Sequence, residues 1–295
     1  MMSILTVDIG GTKIRVGLVE GDRVTRSVSA PTPASEGGVR LLEVICELAA
    51  DFEGYRGVGV AAAGVIDKGT VVSATDLIKG WAGTDIAGEL SARLGVPVSV
   101  LGDVHAHGMG EATIGAGANY PSCLTVAVGT GIGGALVEDG QVHRGAHSLG
   151  GHIGHMDAVE AAGLACSCGR EGHIEPLASG SGVAACYEAL TGEAVSGREI
   201  DARARAGEAA AQQVLYGSAR ALGRLLGSVA NMVDPGVIVL SGSMTRSGDA
   251  WWEALREGYA ASAMNLAQAT PLREGVLGDD APLLGAAVQF RKEHD

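Results

Sequence analysis

Short apolar runs separated by glycine turns open the chain. Residues 4–9 and 14–19 are brief and β-rich, and Gly10 and Gly11 between them predict a hairpin. A single acid, Asp8, stands near the end of the first run. A third extended run is expected near Val24–Ser29, ending at Pro31 and Pro33. From Gly37 to Phe52 the apolar positions Val39, Leu42, Ile45 and Leu48–Ala49 follow helical spacing. Another strand, Gly57–Ala61, runs into the small-residue turn Ala63-Gly64. A helix over Asp85–Leu94 leads to a strand over Val96–Leu101, which ends in Gly102-Asp103, and a helical stretch follows over His105–Ile114.

The opening unit then returns. Thr125-Val-Ala-Val128-Gly129-Thr130-Gly131-Ile-Gly133-Gly134-Ala-Leu136-Val137 repeats the order strand, glycine turn, strand. The tails agree as well, since Val-Glu-Gly-Asp-Arg-Val ending at Val24 parallels Val-Glu-Asp-Gly-Gln-Val ending at Val142. A repeated unit of this kind predicts two related halves that can face each other. After it come a histidine-bearing stretch (His143, His147, His152, His155) and a cysteine segment at 166–175. Helical runs are expected over Glu199–Ala211 and Val214–Met232, then a strand over Gly236–Leu240, a helix over Ala250–Ala263 and a closing helix around Leu283–Phe290. Alternating strands and helices indicate an α/β protein. The boundary, near 115–122, is inferred from the repeat alone.

Composition narrows the function classes. With 295 residues there is ample chain to bury a core, and 46% hydrophobic against 19% charged residues is an ordinary globular balance. Glycine is abundant, at 47 residues, and its placement between apolar runs implies tight turns and close backbone approaches. The net charge of −13 argues against a nucleic-acid partner but not against a small phosphate ligand, which backbone amides and a cation can hold. No apolar run approaches a membrane span, and no signal-type segment is legible. Five cysteines, two of them as Cys166-x-Cys168, suit a reducing compartment and a metal site, so a cytoplasmic protein is expected.

Gly129-Thr-Gly131-Ile-Gly133-Gly134 satisfies G-x-G-x-x-G, but a short strand and turn follow where a dinucleotide fingerprint needs a helix. Gly10-Gly11-Thr12-Lys13 lacks the leading glycine of a P-loop and also precedes a strand. What remains is two hairpin tips offering backbone N–H groups and a threonine hydroxyl, a fit to phosphate oxygens. Trp81, one of three tryptophans, sits in a glycine loop and suits either a ligand wall or a plug at the core edge. Asp103 either caps the helix it precedes or acts as a general base. Cys166, Cys168 and His173, with an upstream histidine, supply the four N/S donors that structural zinc prefers.

Asp8-Ile-Gly-Gly-Thr-Lys13, Gly129-Thr-Gly-Ile-Gly-Gly134, His152-Ile-Gly-His155 and Cys166-x-Cys-Gly-x-x-Gly-His-x-Glu175 occur in this order. Together with Gly242 and the closing Asp279-Asp280-Ala-Pro-Leu-Leu-Gly285-Ala-Ala, they make the whole chain resemble the ROK family. Its members are sugar kinases and related repressors. The resemblance implies a two-domain actin/hexokinase-like (ribonuclease H-like) fold with duplicated βββαβα-type halves and an interdomain cleft. The expected domains are 1–118, joined by a closing helix 282–295, and 119–281 with a zinc-binding loop. The repressors carry a DNA-binding helix-turn-helix ahead of the first strand. Here that strand opens near residue 4 and the chain is acidic, so the kinase branch is expected.

The resemblance also assigns roles. Asp103 becomes the base that takes the proton from a primary sugar hydroxyl, and Asp8 helps to hold Mg²⁺. Gly10, Gly11, Thr12, Lys13, Gly129, Thr130 and Gly131 cradle the ATP phosphates, while Gly242 and Ser243 meet adenosine. His152, His155 and Glu175, with Asp103, contact the sugar. His155, Cys166, Cys168 and His173 hold Zn²⁺, with His173 where the family has a third cysteine. A homodimer is implied. Two positions depart from the pattern: the asparagine ahead of the catalytic aspartate is Gly102, and the glutamate of Glu-x-Gly-His is His152. Neighbours such as His105 or Asp76 could compensate. Alternatively the substrate differs from plain glucose, as an amino sugar or a C7 cyclitol would. A sugar-sensing protein on the same scaffold is the non-enzymatic alternative.

Overall fold

In the computed structural model, which describes residues 3–75 and 77–295, the first half builds around one buried strand. Strand β1 (Ser3–Ile9) buries Ile4, Leu5, Val7 and Ile9 completely. A strand apolar on both faces belongs at the centre of a covered sheet. It pairs antiparallel with β2 (Lys13–Glu20), which pairs with β3 (Arg23–Pro31) at the edge, where a proline costs no ladder bond. Helix α1 (Gly38–Ala49) then leads to β4 (Tyr55–Ala62), parallel to β1. A small hairpin of β5 (Val65–Asp67) and β6 (Thr70–Ser73), helix α2 (Ile86–Leu94), strand β7 (Val98–Gly102) and helix α3 (Asp103–Thr113) follow. The sheet order is β3-β2-β1-β4-β7.

The second half repeats the plan. It runs through β8 (Ser122–Val128), β9 (Ile132–Glu138), β10 (Gln141–Val142), α4 (Glu175–Ala178), α5 (Gly180–Thr191), α6 (Gly197–Arg205), α7 (Ala209–Val233), β11 (Val237–Ser241), α8 (Asp249–Ser262), β12 (Leu272–Glu274) and α9 (Ala281–His294). The second sheet has the order β10-β9-β8-β11-β12, with β11 parallel to both β8 and β12. In both sheets the antiparallel hairpin strands come first and two parallel strands complete the other side. The duplication is the one that the repeat at 125–142 predicts, and the α/β arrangement is that of the actin/hexokinase-like fold which the family resemblance implies.

Two compact units result. One comprises Met1–Asn119, Ala135–Gly151 and Val276–Asp295; the other comprises Tyr120–Gly134 and His152–Gly275. In the first, Leu5, Val7 and Ile9 face a cluster containing Leu41, Leu42 and Ile45 of α1 and Ile86 and Leu90 of α2. Ile4, on the opposite face of β1, packs with Leu284, Ala287 and Phe290 of α9. Helix α9 also packs along α3, so closely that a Cβ at Gly285 would overlap the Ala106 carbonyl. In the second unit, α7 packs along α8 and buries Leu215, Leu222 and Leu226, while α8 buries Trp251, Leu255 and Tyr259. No helix among the described residues is long and apolar enough to cross a membrane.

Several local expectations change. Val39, taken as part of the apolar face of α1, is 67% exposed; Leu41 and Val44 are buried instead. The helix expected over 199–211 is broken, because Gly207 adopts φ +92° and α7 starts at Ala209. Asp103 lies in the first turn of α3 rather than before it. Trp81 is a core plug, 2% exposed, with its indole N–H donating to the Ala63 carbonyl at 2.8 Å. Asp76 lies outside the described residues.

Candidate active site

In the first unit the parallel order of β1, β4 and β7 brings their C-terminal ends to one edge of the sheet, the edge where open α/β sheets bind ligands. Asp8 is the last residue but one of β1, in register with Arg15 on β2 and Ala61 on β4. The turn beyond it is closed by the Gly10 N–H donating to the Lys13 carbonyl at 3.1 Å. Thr32 braces it, with its hydroxyl on the Gly10 carbonyl at 2.6 Å and its N–H on the Thr12 carbonyl at 3.0 Å. Thr12 and Lys13 are exposed at the tip. Asp103 follows β7 at the same edge, its Oδ1 accepting from the Val104 N–H at 2.8 Å.

Burial pushes the Asp103 carboxyl up to about 6, opposed by that backbone hydrogen bond. Asp8 is pushed up to about 7, first by burial and then by the charge of Asp103; Arg15 and Lys13 act the other way. Two acids that resist ionising together can hold a proton or a cation. Next to them, a Cβ at Gly102 would rest in ordinary van der Waals contact with the Gly64 carbonyl oxygen at 3.5 Å and the His105 ring at 3.6 Å. His105 is buried, with Nε2 2.6 Å from the Gly150 carbonyl. Glu111, fully buried, receives the Ala116, Val276 and Leu277 N–H groups and so holds the chain that leads into α9.

In the second unit the turn at Gly129–Gly131 closes through the Gly129 N–H on the Gly131 carbonyl at 2.9 Å. Here sequence reasoning missed a partner. The Gly180 N–H donates to the Gly129 carbonyl at 2.7 Å, and the Ser181 hydroxyl to the Thr130 carbonyl at 2.6 Å. Helix α5, capped by Ser179, therefore starts against this turn, and a helix N-terminus favours anions. The signal was present in the N-cap serine of Ser179-Gly-Ser181. Gly242 adopts φ +96° and lies so close to Val128 that a Cβ would overlap its carbonyl, which ties the loop after β11 to the end of β8.

Glu175 opens α4. Its Oε2 accepts from the Ile132 N–H at 2.9 Å and its Oε1 from the Ser167 hydroxyl at 3.1 Å. An ionised carboxylate has about four lone-pair sites, so both oxygens can still accept from a ligand hydroxyl. His155, His152, Cys166, Cys168 and His173 gather nearby in the chain. His155 Nδ1 lies 3.4 Å from Cys166 Sγ, and His173 Nδ1 lies 3.3 Å from Cys168 Sγ. One donor atom from each of these four residues lies within 4.8 Å of the others. Asp157 sits 3.8 Å from His173 Nε2, the outer carboxylate that often orients a ligating imidazole. The His152 and His155 rings are 6.3 Å apart. Two thiols and two imidazoles at this spacing fit tetrahedral zinc.

Comparison with known proteins extends over the whole chain. Residues 4–293 match the model of the ROK family. The N-acetylmannosamine kinase of Shigella flexneri is 32% identical, covering 99% of this chain and 99% of its own. The glucokinase of Halalkalibacterium halodurans is 28% identical over 98% of this chain and 95% of its own. Among solved structures, the ROK hexokinase of Thermus thermophilus has a TM-score of 0.89 at 34% identity, covering 99% of both chains.

Proposed function

The chain belongs to the ROK family, and on that premise we propose that it is an ATP-dependent kinase that phosphorylates the primary hydroxyl of a hexose or hexose-like ring, with Asp103 as general base. The observation that carries this reading is Asp103 itself. It is a buried acid in the first turn of α3, and its raised pKa leaves it basic enough to accept a proton near neutral pH. In the proposed step the sugar oxygen attacks the γ-phosphorus, its proton passes to the Asp103 carboxylate, and the bond from the γ-phosphorus to the bridging oxygen breaks, releasing ADP.

The remaining residues position and stabilise. The turns at Gly10–Lys13 and Gly129–Gly131 offer N–H groups, the Thr12 and Thr130 hydroxyls and the Lys13 ammonium to phosphate oxygens. Gly242 and Ser243 would meet the adenosine. Asp8 would hold Mg²⁺, which neutralises phosphate charge when bound. His155, Cys166, Cys168 and His173 would hold Zn²⁺, which supplies a fixed structural node with no open coordination position. That node is followed after one residue by Glu175. With Nδ1 of His155 turned to Cys166, Nε2 remains as the ring atom for a sugar hydroxyl, beside contributions from His152 and Glu175.

Substrate choice follows from the same residues. The lack of a side chain at Gly102, where the family's pattern has an asparagine, supports a substrate other than plain glucose, such as an amino or N-acylated hexose or a C7 cyclitol. The names of the relatives, one a glucokinase and one an N-acetylmannosamine kinase, span that choice. A coupled assay with ATP across glucose, mannose, N-acetylmannosamine, glucosamine and C7 cyclitols tests it. Glucose turned over as efficiently as the best of these would count against that substrate choice. For the base, Asp103→Asn is expected to keep sugar binding and lose about 10²–10⁴-fold in kcat. Unchanged turnover would remove Asp103 from the mechanism, and sugar binding without turnover in the unaltered protein would favour the sensor.

A further inference from the structure

Glu175 touches more than a sugar contact requires. Its Oε2, which accepts from the Ile132 N–H at 2.9 Å, lies so near the glycine turn that a Cβ at Gly131 would come within 2.7 Å of it. Ile132 is buried and opens β9 directly after that turn. The backbone leading away from Glu175 holds the same turn again. The Ser179 N–H donates to the Glu175 carbonyl at 3.1 Å and folds the chain into α5, where Gly180 and Ser181 donate to the Gly129 and Thr130 carbonyls. Segment 175–181 therefore grips residues 129–132 at three points, two on carbonyls and one on an N–H. The last of these hangs on a side chain. A carboxylate on a rotatable stem needs a second anchor to stay in one place, and that anchor is Ser167, whose hydroxyl donates to Oε1 at 3.1 Å. Ser167 stands between Cys166 and Cys168, two members of the four-donor cluster.

We propose that Glu175 is a positioning residue for the turn at Gly129–Gly131 and that Ser167 couples it to the metal loop, so that filling the metal site raises affinity for the phosphate donor. The two carboxylate oxygens are divided between turn and loop, with one charge-assisted hydrogen bond to each. A loop that keeps its shape lets Ser167 hold Oε1 and leaves Oε2 on Ile132. A loosened loop frees the carboxylate to swing away, and a buried N–H is left without its acceptor. The turn then loses one of its three fixed points. Coupling of this kind is reciprocal: the factor by which bound metal raises donor affinity is the factor by which bound donor raises metal affinity. This role rests on the readings that the Cys/His cluster takes zinc and that the second unit binds ATP. It makes the metal loop part of donor binding and gives a task to the serine between the cysteines.

Calorimetric titration of the full-length, zinc-loaded protein with the β,γ-imido analogue of ATP in the presence of Mg²⁺, and separately with AMP, tests it. Ser167→Ala and Ser167→Thr are measured alongside, with thermal unfolding to verify the fold. Ser167→Ala is expected to bind the analogue about three- to thirtyfold more weakly. Ser167→Thr keeps a hydroxyl and should stay near the unaltered protein. AMP lacks the β- and γ-phosphates, so its affinity should change little. Chelator competition reads the other side of the linkage: the analogue should raise the zinc affinity of the unaltered protein by a similar factor, and that of Ser167→Ala by much less. Unchanged analogue affinity in Ser167→Ala, an equal loss for AMP, or zinc affinity indifferent to the analogue would overturn the coupling. Any of these with sugar phosphorylation intact removes this inference and leaves the kinase reading standing. Coupling as described without phosphorylation of any sugar would sink the kinase reading alone. A zinc-loaded protein that binds no analogue would sink both.

Discussion

Asp103 and Asp8 are held in the fold at a cost that pH can expose. Both carboxyls titrate higher in the folded chain than the usual carboxylate value of 3.8. Their contribution to stability is therefore complete below that value, and it is lost as pH rises through about 6 for Asp103 and about 7 for Asp8. Catalysis has the opposite demand, because a general base must be ionised. Activity with saturating donor and Mg²⁺ is thus expected to be present above pH 6 and to fall as pH drops through it. A pH profile of kcat/KM for the sugar checks this, and residual turnover in Asp103→Asn should lack that acid limb. The place of Asp103, just after a strand and at the head of a helix, was legible in the sequence. Its pKa was not, because burial is a property of the packed neighbours.

The loop from His155 to His173 shows what one element can impose on the next. A single turn at Ile153–His155, a reverse turn closed by the Gly169 N–H on the Cys166 carbonyl, and a bridge between Asp157 and His173 bring four donors together. Few apolar side chains in this stretch are fully buried, so a bound metal is expected to supply part of its order. The purified protein should carry about one zinc per chain by elemental analysis. His173→Ala should lower zinc affinity more than tenfold, while His173→Cys retains it, since thiolate is an equally good zinc ligand. Full zinc occupancy in His173→Ala would remove His173 from the ligand set. The spacing Cys-x-Cys with a following histidine announced the donors in advance. That Ser167, between the two cysteines, also binds Glu175 was not readable, because a serine hydroxyl carries no spacing signal.

Across the whole molecule the chain closes on its own beginning. Helix α9, the last element, packs against β1, β4 and α3 of the first unit, joining residues separated by most of the sequence. The contact depends on Gly285 meeting Ala106 without a side chain between them. Gly285→Ala is expected to force the two helices apart and to cost about 1–3 kcal/mol, read as a lower denaturant midpoint. An unchanged midpoint would mean that α9 can shift freely. The return of this helix was visible as a closing apolar stretch. Its destination was visible only through family resemblance, since amphipathic spacing says that a face is buried but not against what.

Local physics determined much of this protein from sequence alone. Apolar periodicity and glycine turns are short-range properties, so the strands, most helices, the duplication and the two glycine turns could be read directly. The Cys/His spacing announced four donors that the fold brings within 4.8 Å of one another. Tertiary structure decided what depends on residues distant in the chain. It made Trp81 a core plug rather than a ligand wall, and broke the helix expected over 199–211 at Gly207. It also set α5 against the Gly129 turn and the Glu175 carboxylate against Ile132.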